Sequence, residues 1–212
     1  GHINGLAIAT CRDADVVCFD VDSTVCLDEG IDELVDFCGA GAQVAEWTAK
    51  TMTGLVAFEE ALAARLSLFK PSFDQVQNCL EQRPPRISPG ISELIGKLKA
   101  KNVDVYLVSG GFRQMIMPVA LELGIPPGNI FGNQLLFGTS GGYKRGYKTL
   151  VMIGDGATDL EVFVQYYHGT MARQPSGADM FIFYGGVQMR KAVARKSDWV
   201  VSDFHELMIH LW

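Results

Sequence analysis

Three short runs of apolar residues punctuate the chain: Val16-Val17-Cys18-Phe19, Val103-Asp104-Val105-Tyr106-Leu107-Val108 and Leu150-Val151-Met152-Ile153. Each is bounded by a polar or glycine-containing turn, a length and pattern that predict parallel strands buried on both faces. Elsewhere the apolar positions recur at helical spacing. Ile91, Leu94, Ile95 and Leu98 follow a predicted cap at Ser88-Pro89, and Met115, Ile116, Val119 and Leu123 form a similar stripe. A strand is expected around Ile130-Phe131 and another at Met180-Phe181-Ile182-Phe183. Val187 to Lys196 reads as a helix, Trp199-Val200-Val201 as a strand, and the segment from Asp203 as a closing helix. Strands alternating with helices predict an α/β fold, a doubly wound parallel sheet of the Rossmann-like kind.

Residues 26–86 break that alternation. They are rich in helical patterns, with Ile31 to Cys38, Ala42 to Thr51 and Phe58 to Leu68 the clearest. The reading is an inserted helical cap over 26–86 on a core made of 14–25 and 87–212. Arg83-Pro84-Pro85-Arg86 marks the return, because consecutive prolines exclude helix and favour an extended linker.

Each clear strand ends in a chemical signature. Asp20-Val21-Asp22-Ser23-Thr24 follows the first, Ser109-Gly110-Gly111 the second, and Gly154-Asp155-Gly156-Ala157-Thr158-Asp159 the third. Ligands of open α/β sheets bind at the carboxyl ends of the strands, so these segments are expected to converge. Asp20 and Asp22, two apart on extended backbone, can face one side, and Asp155 would add a third carboxylate. Such a donor set calls for a hard cation; Mg²⁺ bridges one or two carboxylates and a substrate phosphate. Ser109 offers a hydroxyl, and Gly110-Gly111 are expected to bring backbone amides to a phosphate at the start of the next helix. Asp20 can then attack phosphorus, while Asp22 protonates the leaving oxygen and activates water.

Composition narrows the partners. The 212 residues are 48% hydrophobic and 20% charged, with formal charge −6 and no basic block, so neither a nucleic acid nor an anionic membrane is expected. No apolar run approaches the roughly 20 residues needed to span a bilayer. Five cysteines without a Cys-x-x-Cys pair, and four histidines (His2, His168, His205, His210) without ligand spacing, suggest neither a disulfide framework nor zinc. A reducing compartment fits: the cytoplasm, or a plastid stroma if a transit peptide has been removed. Oligomeric state stays open, a homodimer included.

Asp20-Val21-Asp22-Ser23-Thr24, Ser109-Gly110-Gly111 and Gly154 to Asp159 resemble motifs I, II and IV of the haloacid-dehalogenase superfamily. Glu29-Gly30-Ile31-Asp32-Glu33, Met52-Thr53-Gly54, Phe58 to Leu68 with Arg65, and Val108 to Arg113 extend the resemblance to its phosphoserine phosphatase family. The resemblance implies Mg²⁺-dependent hydrolysis of O-phospho-L-serine, in serine biosynthesis, through an aspartyl-phosphate. It implies Asp20 as nucleophile, Asp22 as acid/base, and Asp20, Asp22 and Asp155 as metal ligands. Ser109, Gly110 and Gly111 would hold the phosphoryl group, with Thr158 beside the metal loop. Glu29 would meet the substrate ammonium, Arg65 its carboxylate, and Met52 and Gly54 would line the pocket.

The sequence departs from the family in two places. From Gly138 to Lys148 there are eleven residues, four of them glycine, where the family has a hairpin, a Ser-Gly-Gly-Lys motif and a helix. Ser140-Gly141-Gly142 is followed by Tyr143, which makes Lys144 the candidate catalytic cation and Lys148 the second choice. Val162 to Met171 is an added stretch. Two alternatives stay open: a phosphatase or phosphotransferase for another small phosphate monoester, and a catalytically impaired binding protein.

Overall fold

The apolar runs form strands in which successive side chains point to opposite faces of one sheet, both of them covered. The computed structural model describes residues 5–51, 64–65, 67–133, 149–156 and 179–212. Its strands are β1 (Val16–Asp20), β2 (Asp104–Phe112), β3 (Ile130–Asn133), β4 (Leu150–Gly154), β5 (Met180–Tyr184) and β6 (Trp199–Val201). They pair in parallel in the order β3-β2-β1-β4-β5-β6. Among the described residues, helices run over α1 (Gly5–Arg12), α2 (Gly30–Phe37), α3 (Gly41–Thr51), α4 (Phe73–Gln82), α5 (Ile91–Ala100), α6 (Arg113–Glu122), α7 (Lys191–Ala194) and α8 (Phe204–Leu211).

Every residue of β1, β4 and β5 is buried. Val17, Phe19, Val105, Leu107, Val151, Ile153 and Ile182 join one apolar cluster with the inner faces of α1, α5, α6 and α8. Their neighbours Val16, Cys18, Tyr106, Val108, Leu150, Met152, Phe181 and Phe183 form the other. Phe204 of α8 stacks on Tyr184 at 4.1 Å and meets Phe19 edge-on at 6.3 Å. Phe19, Phe183 and Phe204 are fully buried, each stabilising the fold by about 1.5–3 kcal/mol. All five cysteines are free, and burial pushes the Cys11 thiol up to about 12.

The chain divides into two compact units, Gly1–Leu27 with Arg86–Trp212, and Asp28–Pro85. The second packs Val35, Ala40 and Val44 with Ile31 and Phe69 against them. Within it, Arg83 donates to Asp36 at 2.7 Å and Glu33 at 3.3 Å, its guanidinium lying over the Phe37 ring. Ser72 and Gln75 form a capping box that starts α4.

Three local expectations are corrected. Helix α7 covers only Lys191–Ala194, because Val187 to Arg190 form a loop. Gly90, left-handed at φ 82°, caps α5 in place of Ser88, whose hydroxyl donates to the Thr24 carbonyl. Strand β2 continues through Ser109, Gly110 and Gly111 to Phe112, so these glycines precede the helix rather than opening it. The N-terminal residues outside the expected core include helix α1, which packs Ala7 and Cys11 into the sheet cluster. Of the helix expected at Phe58 to Leu68, only residues 64–65 and 67–68 are described, and they are helical.

Candidate active site

The strand order reverses direction between β1 and β4: from β1 the chain builds outward through β2 and β3, and later through β4, β5 and β6 on the other side. Helical connections leave on opposite faces at such a point, which opens a crevice at the carboxyl ends of the two strands. Asp20 is the last residue of β1, opposite Val108 of β2. Ser109 follows Val108 directly. Asp155 comes one residue after the end of β4.

The turn after β1 is held from several sides. The Val21 amide donates to Asp20 Oδ1 at 2.8 Å, and the Cys26 amide closes the turn onto the Val21 carbonyl at 2.9 Å. Asp22 keeps extended backbone, whereas Ser23 is left-handed at φ 55° and fully buried. Such a conformation is disfavoured for serine and persists where the surroundings fix it. Ser88 supplies part of that support, its hydroxyl on the Thr24 carbonyl at 2.7 Å and its amide on the Val25 carbonyl at 2.8 Å.

On β2, three residues, Ser109, Gly110 and Gly111, stand opposite the single Gly132 of β3, since Val108 pairs with Phe131 and Phe112 with Asn133. This bulge turns Ser109 toward the first turn. The Gly111 amide donates to Ser109 Oγ at 2.9 Å, and Ser109 Oγ donates to Asp22 Oδ2 at 3.4 Å. A Cβ on Gly111 would stand 3.2 Å from Ser109 Oγ and 3.6 Å from Asp22 Oδ2. Arg113, at the start of α6, is engaged elsewhere, donating to the Ile130 carbonyl at 2.7 Å.

Asp155 is 5% exposed and forms an ion pair with Arg190, Nε to Oδ2 at 3.4 Å. Arg190 donates to Gln188 Oε1 at 3.0 Å, and Gln188 Nε2 donates to Ser23 Oγ at 3.2 Å. Sequence reasoning missed Gln188 and Arg190. The available signal was Gly185-Gly186 after the apolar run Met180 to Tyr184, the same strand-then-glycine pattern that marked the other turns.

The core unit thus brings Asp20, Asp22, Ser109, Gly110, Gly111 and Asp155 to adjoining strand ends. Asp20, Asp22 and Asp155 supply the oxygen donors that suit a hard cation. No group of three or more His, Cys, Asp or Glu side chains among the described residues is gathered as a metal cluster. By chemistry the donors fit Mg²⁺, which Asp20, Asp155 and the Asp22 backbone carbonyl would hold, with Ser109 on the Asp22 side chain and Arg190 3.4 Å from Asp155 Oδ2.

The remaining candidates of the helical unit are Glu29 and Arg65. Glu29 is the N-cap position of α2, though its side chain does not cap the helix. Arg65 lies 3.9 Å from Asp32, and its buried Nε has no hydrogen-bond partner among the described residues. Met52, Gly54, Lys144, Lys148 and Thr158, with the stretches Gly138 to Lys148 and Val162 to Met171, lie outside the described residues.

The sequence profile of haloacid dehalogenase-like hydrolases matches residues 14–139. The chloroplastic phosphoserine phosphatase of Arabidopsis thaliana is 57% identical, the match covering 93% of this chain and 72% of that protein. The phosphoserine phosphatase of Rattus norvegicus is 43% identical over 92% of each. The structure of DsGPDH of Dunaliella salina superposes with TM-score 0.84 at 33% identity, covering all of this chain, which spans only 38% of the length of that protein. The Arabidopsis match runs to 221 aligned positions against 93% of 212 residues, so that relative carries residues this chain lacks. With its strand-end motifs on a parallel sheet and these relatives, the chain belongs to the phosphoserine phosphatase family of haloacid dehalogenase-like hydrolases.

Proposed function

We propose that this chain hydrolyses O-phospho-L-serine to L-serine and phosphate by way of an aspartyl-phosphate on Asp20. The observation that carries the reading is the meeting of Asp20, Asp22, Ser109 and Asp155 at the strand ends around the switch point, in a chain of this family. An Asp20 oxygen attacks phosphorus as the P–O bond to the serine oxygen breaks, and Asp22 gives its proton to that oxygen. Asp22, then a carboxylate, takes a proton from the water that attacks the phosphorus of the acyl phosphate, releasing phosphate and restoring Asp20. Ser109 and the Gly110 and Gly111 backbone orient the phosphoryl oxygens. Mg²⁺, held by Asp20, Asp155 and the Asp22 backbone carbonyl, would supply positive charge against the phosphoryl group.

Substrate choice is assigned to the helical unit, with Glu29 for the ammonium and Arg65 for the carboxylate. The buried Nε of Arg65, without a hydrogen-bond partner among the described residues, supports this, since a carboxylate would satisfy it. Lys144 is assigned the second cation. A role in serine biosynthesis follows from the product. The chloroplastic relative favours a plastid stroma over the cytoplasm.

The test is phosphate release from phosphoserine, phosphothreonine and an aryl phosphate, with and without Mg²⁺. Preference for phosphoserine that needs Mg²⁺ supports the reading, and equal rates on all three refute its specificity. The second reading, an impaired binding protein, draws on the residues this chain lacks relative to the Arabidopsis protein; it predicts phosphoserine binding without turnover.

A further inference from the structure

The loop after β5 reaches both acidic turns of the core, and nothing in the reaction assigned above uses it. Its course is fixed by crowding. A Cβ on Gly186 would fall 2.7 Å from the Ser202 carbonyl and against the Tyr184 hydroxyl, and one on Gly185 would meet Met189 Cε at 2.5 Å. At Gly186 the backbone carbonyl of Ser202 leaves no room for a Cβ, and the loop carries Gln188 and Arg190 back over the strand ends.

Gln188 is suited to join two partners because its amide has a donating end and an accepting end. Nε2 donates to Ser23 Oγ at 3.2 Å, and Oε1 accepts from Arg190 Nη2 at 3.0 Å. Ser23 is the left-handed, fully buried residue next to Asp22. Arg190 is the cation paired with Asp155. The chain Ser23–Gln188–Arg190–Asp155 therefore spans from the turn after β1 to the turn after β4, across the switch point.

We propose that Gln188 is a positioning residue for the phosphatase reaction, its side-chain amide clamping the Ser23 turn, and with it Asp22, to the Arg190–Asp155 pair. This rests on the assignment of the reaction to Asp20 and Asp22. The clamp acts through Ser23 and Arg190 and does not require Gln188 to touch substrate. The Ser23 hydroxyl can donate as well as accept, so a glutamate could keep both contacts; methionine keeps the length and leucine the bulk, and neither makes either bond.

The experiment compares the wild-type chain with Gln188→Met and Gln188→Leu. Three readouts are taken: kcat and KM for phosphate release from phosphoserine, thermal melting, and amide hydrogen exchange of residues 21–26. Misplacing a reacting group by about 1 Å can cost on the order of 10²-fold in rate, so a loosened turn is expected to lower kcat about 10-fold. The expected result is that fall in both variants, KM within about twofold, melting within a few degrees, and faster exchange in 21–26. The split between kcat and KM separates positioning from a general loss of folding. Wild-type kcat and exchange in either Gln188→Met or Gln188→Leu would overturn the clamp. A fall in melting temperature with kcat and KM changing in parallel would also overturn it. If Gln188→Met fails to fold, Gln188→Leu decides alone by the same readouts. If the wild type releases no phosphate, the reaction assignment fails and Gln188 loses its catalytic consequence. Exchange in 21–26 still shows whether the clamp exists.

Discussion

Gly111→Ala should separate activity from stability. The added methyl would stand 3.2 Å from Ser109 Oγ, so the hydroxyl must give way by a few tenths of an ångström. That hydroxyl accepts from the Gly111 amide at 2.9 Å and reaches Asp22 at 3.4 Å, already long for an O–H···O bond. The longer bond is the one that breaks. Its loss costs about 0.5–1.5 kcal/mol, while replacing glycine by alanine gains about 0.4–1 kcal/mol by restricting the unfolded chain. The two nearly cancel, and at roughly 2–4 °C per kcal/mol the melting temperature should move by no more than about 4 °C. Activity has no such compensation. Displacing the hydroxyl proposed to orient the phosphoryl group, and freeing Asp22 from it, should lower kcat/KM about 10-fold, given up to about 10²-fold for a 1 Å error. Phosphate release and a thermal melt on the same preparation measure both. The contact itself can be tested in a Ser109→Ala background, where the hydroxyl is gone and Gly111→Ala should add almost nothing. An unchanged kcat/KM in the single variant, or full additivity in the double, would refute the argument.

Asp20→Asn should abolish phosphate release, whereas Asp22→Asn should slow it by about 10²-fold to 10⁴-fold, measured in the same assay; turnover surviving in Asp20→Asn would remove it as nucleophile. Arg65→Ala should cost phosphoserine about 2–5 kcal/mol of transition-state binding and an aryl phosphate little, read from the two kcat/KM values; equal losses would assign Arg65 to folding. Asp203 caps α8, and the amide and ring of His205 hold its carboxyl below the usual value of 3.8. A lowered carboxylate stabilises the fold above its unfolded-state value, and that contribution is lost as pH falls through the folded one. Asp203→Ala should therefore cost about 1 kcal/mol at pH 7 and progressively less below about pH 4, followed by melting. A gap that widens on acidification would contradict the sign.

The strands were legible in the sequence because burial on both faces leaves an uninterrupted apolar run, as in Val16 to Phe19 and Leu150 to Ile153. The turns after them were legible because three such motifs, each an ordinary turn or loop when met alone, follow three strands in order. What escaped depended on tertiary contacts. Val187 to Arg190 has residues a helix accepts, yet the crowding at Gly186 and the partners of Gln188 and Arg190 hold it as a loop. Ser88 looks like a helix cap until the Thr24 carbonyl, distant in sequence, claims its hydroxyl. The extra length of β2 depends on a bulge against Gly132, which no local pattern announces.

The strand that carries Asp20 is made early in the chain but completed late. Val16 pairs with Asp104 on one side and with Leu150 on the other, so β1 waits for two long loops to close before both edges are satisfied. Pairings between such distant residues make folding slow and leave the early strand unpaired meanwhile. A chain emerging from the ribosome holds Asp20 on an open edge until β4 has been synthesised. Recovery of activity during refolding should thus lag behind collapse and the appearance of helix, timing the insertion of β4 beside β1.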